Sequence, residues 1–262
     1  MNTLIKLLAL LGLLSTAVHA TILGKDNRQP MTSTQYPWTA IGLLAIGNTG
    51  VCTATLVGPR LILTAAHCLV DARTKRLQQD ITNVVFYPNY MGGKARHGAK
   101  VVRSWVGTFD AQNERWSDWA VAELEAPLGK IYGFVPVVSY TGVFLNFAPS
   151  KVTLAGYSTD FLSGQTAGVD VDCQLRAQLK VDDARKVVTH DCDMRPGASG
   201  GPILMFVNSR PQVVAVNVAE KDQYTFFTRQ MGIDVQYNIN TAMNLAVPTD
   251  VMMSAITLMN LD

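Results

Sequence analysis

Short apolar runs separated by turn residues recur along most of the chain after its first twenty residues. The runs are rich in Val, Ile, Thr and aromatic residues, and Gly, Pro, Asn or Asp stands between many of them, which is typical of β-strands joined by turns. This spacing favours a sandwich or a barrel over alternating strand and helix units, so the predicted fold class is all-β. The predicted strands are Trp38–Ile46, Cys52–Val57, Leu61–Thr64, Asn83–Tyr87, Lys100–Val106, Trp119–Leu124, Phe134–Ser139, Val152–Tyr157, Gln174–Val181, Lys186–Asp191, Pro202–Val207 and Gln212–Val218.

One segment near the end of the chain has helical rather than strand periodicity. Between Thr249 and Met259, the apolar residues recur at helical spacing. Thr249 or Asp250 is placed to cap the start of this segment. We therefore predict a C-terminal α-helix that packs on the body of the fold.

The first twenty residues have the composition of an export signal. Lys6 precedes an apolar stretch that runs to Leu14, and Val18-His19-Ala20 offers small residues where a signal peptidase would cut. The apolar run of roughly 11 residues is shorter than the roughly 20 that a membrane-spanning helix needs. We expect residues 1–20 to be a cleaved signal peptide and residues 21–262 to form a soluble domain that is secreted or periplasmic, without stable membrane insertion.

The charges of the chain nearly cancel. The sequence has 22 Lys and Arg against 20 Asp and Glu, a net charge of +2, and Lys6 would leave with the signal peptide. Such a balance gives no electrostatic reason to expect nucleic acid or an anionic membrane as a partner. We expect a monomer that binds no nucleic acid.

Four cysteines, Cys52, Cys68, Cys173 and Cys192, form an even set in a chain expected to be exported. An even count in an oxidising compartment favours disulfides, and four cysteines allow three pairings. The local pairing, Cys52–Cys68 and Cys173–Cys192, would close two short loops, each stabilising the fold by about 3 kcal/mol.

A metal site is the alternative use of the cysteines. No two of them have the close Cys-x-x-Cys spacing of a zinc site. His190, Asp191, Cys192 and Asp193 are adjacent, but alternation along a strand would point their side chains to opposite faces. We predict that no metal and no cofactor is required.

The stretch RPGASGGP, Arg195–Pro202, carries candidate nucleophilic chemistry. A serine hydroxyl such as that of Ser199 needs a base within hydrogen-bond reach, and the base needs a group that orients it. The small residues around Ser199 suit a loop whose backbone amides face a developing oxyanion. The stretch also matches the G-x-S-x-G elbow of α/β-hydrolases, in which the histidine follows the serine. All four histidines precede Ser199 here, so this interpretation fails.

Three segments together resemble the signature blocks of chymotrypsin-fold serine proteases. They are Thr64–Cys68, Asp118-Trp119-Ala120 and Gly197–Pro202, which place a histidine, an aspartate and a serine in that family's order. The resemblance runs from about Ile22 to the C-terminal helix. It implies two packed six-stranded antiparallel β-barrels, at about 21–130 and about 131–248, followed by a helix at about 249–259, with the active site between the barrels. Cys52 and Cys68 also stand where the family bridges the loop beside its histidine.

The resemblance implies a role for each site residue. His67 is expected to be the general base and then the general acid, Asp118 to orient its imidazole, and Ser199 to form the acyl-enzyme. The amides of Gly197 and Ser199 are expected to form the oxyanion hole. Asp110 is a second candidate for the orienting acid, but it precedes a polar loop rather than an apolar strand.

The implied activity is hydrolysis of peptide bonds in protein or peptide substrates, outside the cytosol. Two other functions are compatible with the same residues. One is a protease homologue that binds partners without cleaving them, although such homologues usually lack a triad member. The other is an esterase that uses the same triad.

Ala198 departs from the pattern of most trypsin-like enzymes, which have an aspartate before the serine. In their zymogens, that aspartate pairs with the new N-terminal amine and orders the oxyanion loop. The bacterial glutamyl-endopeptidase-like branch also lacks this aspartate, and the chain is most similar to that branch. We therefore expect other contacts to order the loop.

Two residues are candidates for a specificity pocket. Glutamate-cleaving members of that branch carry a histidine on the strand after the nucleophile, where this chain has no histidine and Asn217 is the candidate for the place. Asp193 stands six residues before Ser199, as does the pocket aspartate of trypsin. However, Arg195 could neutralise Asp193, which could also be a polar residue beside a disulfide.

Overall fold

The computed structural model of the chain describes residue 22 and residues 25–78, 81–142, 148–180, 182–219 and 243–259. The predicted signal peptide lies outside the described residues. In the described ranges, no helix combines the length and the apolar character needed to cross a membrane.

Antiparallel strands are the main regular elements of the described structure. In chain order they are β1 (Gln29–Pro30), β2 (Ile41–Ile46), β3 (Gly50–Leu56), β4 (Leu61–Thr64), β5 (Val70–Asp71), β6 (Arg76–Leu77), β7 (Val84–Pro88), β8 (Ala99–Val106), β9 (Ala120–Leu124), β10 (Ser150–Gly156), β11 (Gly168–Lys180), β12 (Lys186–His190), β13 (Pro202–Val207), β14 (Arg210–Ala219) and β15 (Asn244–Pro248). A short helix, α1 (Gly129–Tyr132), lies between the two groups of strands.

The strands form two six-stranded antiparallel barrels, as predicted. The first barrel closes in the order β2-β3-β4-β9-β8-β7. The second has the order β11-β10-β13-β14-β15-β12 and closes because the long strand β11 pairs with both β10 and β12. Strand β1 adds to the edge of β11, and β5 pairs with β6 in a small separate ribbon. Each strand of a barrel therefore has neighbours on both sides over at least part of its length.

Apolar packing continues from one barrel into the other. A single cluster of buried side chains contains Leu63 and Phe86 of the first barrel together with Val216 and Leu245 of the second. Gly42 on β2 lets the ring of Phe86 lie against the strand, because a Cβ at this position would collide with that ring. The shared core holds the facing sides of the two barrels, and hence the cleft between them, in a fixed relation.

The predicted strand Phe134–Ser139 is wrong. Val137 forms only an isolated parallel bridge with Val213, and Pro136, which has no backbone N–H to donate to a ladder, interrupts the segment. Val135 donates to the Leu56 carbonyl of the first barrel, and the Val213 amide donates to Pro136. The segment therefore connects the barrels, and the sixth strand of the second barrel is β15, which the sequence pattern did not predict.

The predicted C-terminal helix is confirmed over Thr249–Met259. It begins as a 3-10 turn, Thr249–Met252, and continues as α2 (Met253–Met259). The predicted side-chain cap is wrong, because Pro248 occupies the N-cap position and forms no such bond. The Thr249 hydroxyl instead donates to the Val138 carbonyl, and Asp250 forms an ion pair with Lys186. The start of the helix is thus held by contacts with the second barrel.

Candidate active site

His67 and Asp118 meet at one end of a strand pair in the first barrel. His67 lies in a 3-10 turn just after β4, and Asp118 lies just before β9. Because β4 and β9 are antiparallel neighbours with Thr64 opposite Ala120, the end of one strand lies beside the start of the other. His67 Nδ1 is 2.8 Å from Asp118 Oδ2, and the His67 backbone N–H donates to Asp118 Oδ1 at 3.0 Å. An ionised carboxylate can only accept, so Nδ1 carries the proton and Nε2 is left as the acceptor nitrogen.

Asp118 is fully buried and has a second cationic neighbour. Arg115, three residues earlier and also buried, places Nη1 3.2 Å from Asp118 Oδ2. Burial opposes ionisation of Asp118, but the charge and hydrogen bonds of His67 and the charge of Arg115 outweigh it and hold the pKa of Asp118 below its ordinary value. The carboxylate is therefore ionised at neutral pH.

Ser199 and His67 line the same cleft, which has a volume of about 580 Å³. The first barrel and its loops contribute Ile46, Val51, His67, Val70 and Arg115 to the lining, and the second contributes Met194, Pro196, Gly197, Ser199 and Val218. Chemically, the cleft combines a serine hydroxyl, an imidazole oriented by a buried carboxylate, and walls that are partly apolar. This is the composition of a site for nucleophilic attack with base assistance.

Glycines shape the turn that carries Ser199. Gly197 and Gly200 have φ values of +101° and +81°, in the region that favours glycine. A Cβ at Gly197 would collide with the Tyr157 carbonyl, and one at Gly200 would collide with the Thr64 hydroxyl. Thr53 of β3 also holds the turn, because its hydroxyl donates to the Gly197 carbonyl at 2.8 Å and its amide donates to the Ser199 carbonyl at 2.8 Å. The first barrel thus anchors the turn of the second.

The amides of Gly197 and Ser199 have no acceptor among the described residues. The carbonyl on the same peptide as the Gly197 amide, that of Pro196, accepts from the Thr159 amide at 2.8 Å. A buried or half-buried N–H without an acceptor is uncommon and costs free energy. Two such amides beside Ser199 are suited to bind an oxyanion that forms there.

Asp193 and Asn217 lie near this turn but outside the described lining of the cleft. The buried carboxylate of Asp193 accepts from the Asn27 backbone N–H at 2.8 Å. The fully buried side chain of Asn217 donates to the Ala198 carbonyl at 2.9 Å. Their assignment to a specificity pocket stays a prediction.

The structure separates the two candidates for the orienting acid. Asp110 forms an ion pair with Lys75 and accepts from Asn113 Nδ2 at 2.8 Å, whereas Asp118 binds His67. Arg115 is a site residue that sequence reasoning missed. An arginine three residues before a candidate buried aspartate, on a short helical turn, was the available signal.

Both predicted disulfides are confirmed. Cys52–Cys68 joins β3 to the turn that carries His67. Cys173–Cys192 joins β11 to the loop after β12, where Cys192 lies two residues beyond the end of the strand. Cys52, His67 and Cys68 lie close enough together to resemble a metal site. However, thiolates are the sulfur ligands of metals, and both sulfurs here are in the disulfide.

Comparisons with known proteins agree with this geometry. Residues 49–216 match the family described as trypsin-like peptidase domain. Over 192 residues the chain is 26% identical to a glutamyl endopeptidase of Bacillus licheniformis; the match covers 72% of this chain and 56% of that relative, so the chain spans little more than half of the relative's length.

Two solved structures share the fold. A Glu endopeptidase in complex with MPD has a TM-score of 0.71 at 19% identity, over 92% of this chain and 100% of that one. Protease Anisep from Arthrobacter nicotinovorans has a TM-score of 0.57 at 18% identity, over 82% of this chain and 91% of that one. At these identities the structural similarity shows the fold.

Proposed function

Because the chain belongs to the trypsin-like peptidase domain family, we propose that it is a secreted serine endopeptidase that forms an acyl-enzyme on Ser199. The observation that carries the proposal is the His67–Asp118 pair. Its 2.8 Å bond orients the imidazole, and His67 lines the same cleft as Ser199. The proposed substrates are proteins or peptides that extend through the cleft.

In the proposed reaction, His67 Nε2 takes the proton from Ser199 Oγ as Oγ bonds to the carbonyl carbon of the scissile peptide. The carbonyl oxygen becomes an oxyanion, which the amides of Gly197 and Ser199 bind. Protonated His67 then gives its proton to the leaving nitrogen, the C–N bond breaks, and the acyl group remains on Ser199. Water, deprotonated by His67, releases the acid and restores the serine.

Asp118 contributes without taking the proton. Its bond to Nδ1 fixes the tautomer in which Nε2 is free to accept, and its negative charge stabilises the imidazolium that forms during attack. Its lowered pKa supports this role, because a protonated carboxyl would carry no charge to stabilise the imidazolium. The acid must remain ionised throughout the working pH range.

The test uses protein recovered from the medium or periplasm after export of the full-length chain. It is incubated with a denatured protein, a peptide library and a simple acyl ester, and the products are identified by mass spectrometry. Ser199→Ala, which removes only the hydroxyl, is the matched control. We expect internal cleavage of the protein and peptides by the wild type and none by the variant.

Other outcomes assign the alternatives. Turnover of the ester without cleavage of any peptide would replace the proposal with an esterase. No turnover of any substrate would replace it with a binding homologue. Cleavage that persists in Ser199→Ala would show that the nucleophile is a different group.

A further inference from the structure

We propose that Asn217 is a positioning residue that aims the Ser199 amide at the oxyanion, in place of a charged side chain at position 198. The inference rests on the proposed function, because only a reaction that forms an oxyanion requires that amide. In this proposal, Asn217 supports the turn that carries Ser199 from the side away from the substrate and does not contact the substrate.

The geometry of one peptide group carries the inference. The Ala198 carbonyl and the Ser199 N–H belong to the same peptide, and in a trans peptide these two groups point in opposite directions. Asn217 Nδ2 donates to the Ala198 carbonyl at 2.9 Å, and the Gly201 amide donates to the same oxygen at 2.9 Å. Holding this oxygen toward the interior of the second barrel therefore turns the Ser199 N–H away from it, toward the cleft.

The other proposed oxyanion donor needs no side chain. The Gly197 N–H shares its peptide with the Pro196 carbonyl, which accepts from the Thr159 backbone amide. Among the described residues, the Pro196 carbonyl accepts from this main-chain donor and from no side chain. The Ala198 carbonyl, which shares its peptide with the Ser199 amide, accepts from the Gly201 amide and also from a side chain, that of Asn217.

The amide of Asn217 is itself held in one orientation. Its Oδ1 lies 3.1 Å from His190 Nε2, and both side chains are fully buried. An amide oxygen can only accept, so His190 donates from Nε2 and the Nδ2 group of Asn217 faces Ala198. Burial lowers the pKa of His190 to about 4, so the ring is neutral at working pH and adds no charge behind the turn.

The backbone of Asn217 is also tied to the turn. Its N–H donates to the Gly201 carbonyl at 2.9 Å, and its carbonyl accepts from the Gly200 amide at 2.8 Å. Strand β14 therefore delivers the side chain at a fixed distance from Ala198. The side chain and the backbone of Asn217 therefore both bind the turn that carries Ser199.

The side chain at position 198 is small, buried and closely packed. The Ala198 side chain is buried and packs so closely on Gly156 of β10 that a Cβ at Gly156 would collide with it. A carboxylate at this buried position would lose its hydration, at a large cost in free energy. A neutral donor that approaches the carbonyl from β14 avoids this cost.

The test compares Asn217→Leu, which is similar in size and lacks the donor, with Asn244→Leu. Asn244 is a matched control because it is also fully buried and donates from Nδ2 to a backbone carbonyl, that of Cys192, at 2.8 Å. We measure kcat, KM, the melting temperature and the affinity for a peptide boronate, whose hydroxyl on boron occupies the oxyanion hole of a serine adduct. If Asn217→Leu does not fold, Asn217→Ser, whose side chain is too short to reach Ala198, takes its place.

We expect Asn217→Leu to lower kcat by about 10- to 100-fold, which is at or below the 10²- to 10³-fold that complete loss of an oxyanion donor costs, because the Gly201 amide still holds the Ala198 carbonyl. Boronate affinity should fall by a similar factor. KM should change little, because the hydrogen bond from the Ser199 amide to the oxyanion is made only in the transition state. Asn244→Leu should lower the melting temperature by about as much as Asn217→Leu does. Its kcat and boronate affinity should stay within about twofold of the wild-type values.

Wild-type kcat and boronate affinity in a folded Asn217 variant would overturn the inference while the proposed function stands. An equal loss of kcat and boronate affinity in Asn244→Leu would also overturn it, because the effect would then be one of general stability. Wild-type protein that neither cleaves peptides nor binds the boronate would overturn the proposed function, and the inference with it.

Discussion

Arg115 Nη1 lies 3.2 Å from Asp118 Oδ2, the carboxylate oxygen that also binds His67 Nδ1 at 2.8 Å. The buried carboxylate of Asp118 thus interacts with two side chains, the guanidinium of Arg115 and the imidazole of His67. Arg115 helps to keep Asp118 ionised, but its positive charge also opposes the charge that His67 would acquire in the proposed reaction. Arg115 also lines the cleft that contains Ser199.

We predict that Arg115→Met moves the acidic limb of the kcat/KM profile to higher pH. Removing a nearby positive charge makes protonation of His67 easier, so a larger fraction of the base is inactive in acid. The free energy of unfolding should also fall by about 1.5–3 kcal/mol, as for loss of a buried charged hydrogen bond. Arg103→Met is the control, since Arg103 is exposed and pairs with Glu123. A limb that does not move would show that Arg115 has only a structural role.

Asp118→Asn should lower kcat by about four orders of magnitude, because an amide does not hold the imidazole in the active tautomer. Asp110→Asn should leave kcat within about twofold, since Asp110 pairs with Lys75 instead of His67. Steady-state kinetics on one peptide measures both variants. A large loss in Asp110→Asn with little loss in Asp118→Asn would reverse the assignment of the orienting acid.

Each disulfide should contribute about 3 kcal/mol to the free energy of unfolding, since each closes a loop of 16 or 19 residues. Urea titration of Cys52→Ala/Cys68→Ala and of Cys173→Ala/Cys192→Ala measures these contributions. Activity should be more sensitive to the first pair, because Cys68 directly follows His67. Equal stability of both double variants and the wild type would contradict the prediction.

Asp170 makes the stability of the second barrel dependent on pH. Burial, together with the charges of Asp193, Asp191 and Asp26, raises the pKa of Asp170 to about 6. The folded state therefore favours the protonated acid, so its contribution to stability is complete below about pH 4 and is lost as the pH rises through 6.

Asp170→Asn should consequently stabilise the protein by about 1–3 kcal/mol at pH 8 and have no effect near pH 4. The asparagine oxygen can still accept the Asp193 N–H, which donates to Asp170 at 2.7 Å. Asp172→Asn, at an exposed position, should show no such pH dependence. Thermal unfolding at the two pH values distinguishes these outcomes, and a stabilisation equal at both would contradict the role of ionisation.

The resemblance to chymotrypsin-fold proteases supplied His67 and Asp118 as candidates for the site. In the structure they lie at adjacent ends of β4 and β9, two apolar runs that the strand pattern predicted without predicting that they pair. Arg115 was not predicted, because its spacing from Asp118 allows a contact but does not distinguish a buried arginine from a solvated one. Its burial depends on the tertiary packing of the turn before β9.

The interior of the second barrel was harder to predict. Alternation along β14 predicts which face of the strand carries Asn217. Its hydrogen bond to the Ala198 carbonyl, however, depends on a turn in which two glycines have positive φ values. The segment Phe134–Ser139 is apolar like a strand, yet Pro136 and its contacts with both barrels make it a connection. These features depend on contacts between residues distant in sequence, which local periodicity does not encode.

The proposal that Ser199 is an activated nucleophile is tested most directly by fluorophosphonate labelling of the exported protein. Attack by Ser199 Oγ forms a P–O bond, releases fluoride and transfers the serine proton to His67. Intact mass and peptide mapping should show one adduct, on Ser199, that is absent from Ser199→Ala. No adduct on folded wild-type protein, or the same adduct on the variant, would contradict the assembled triad.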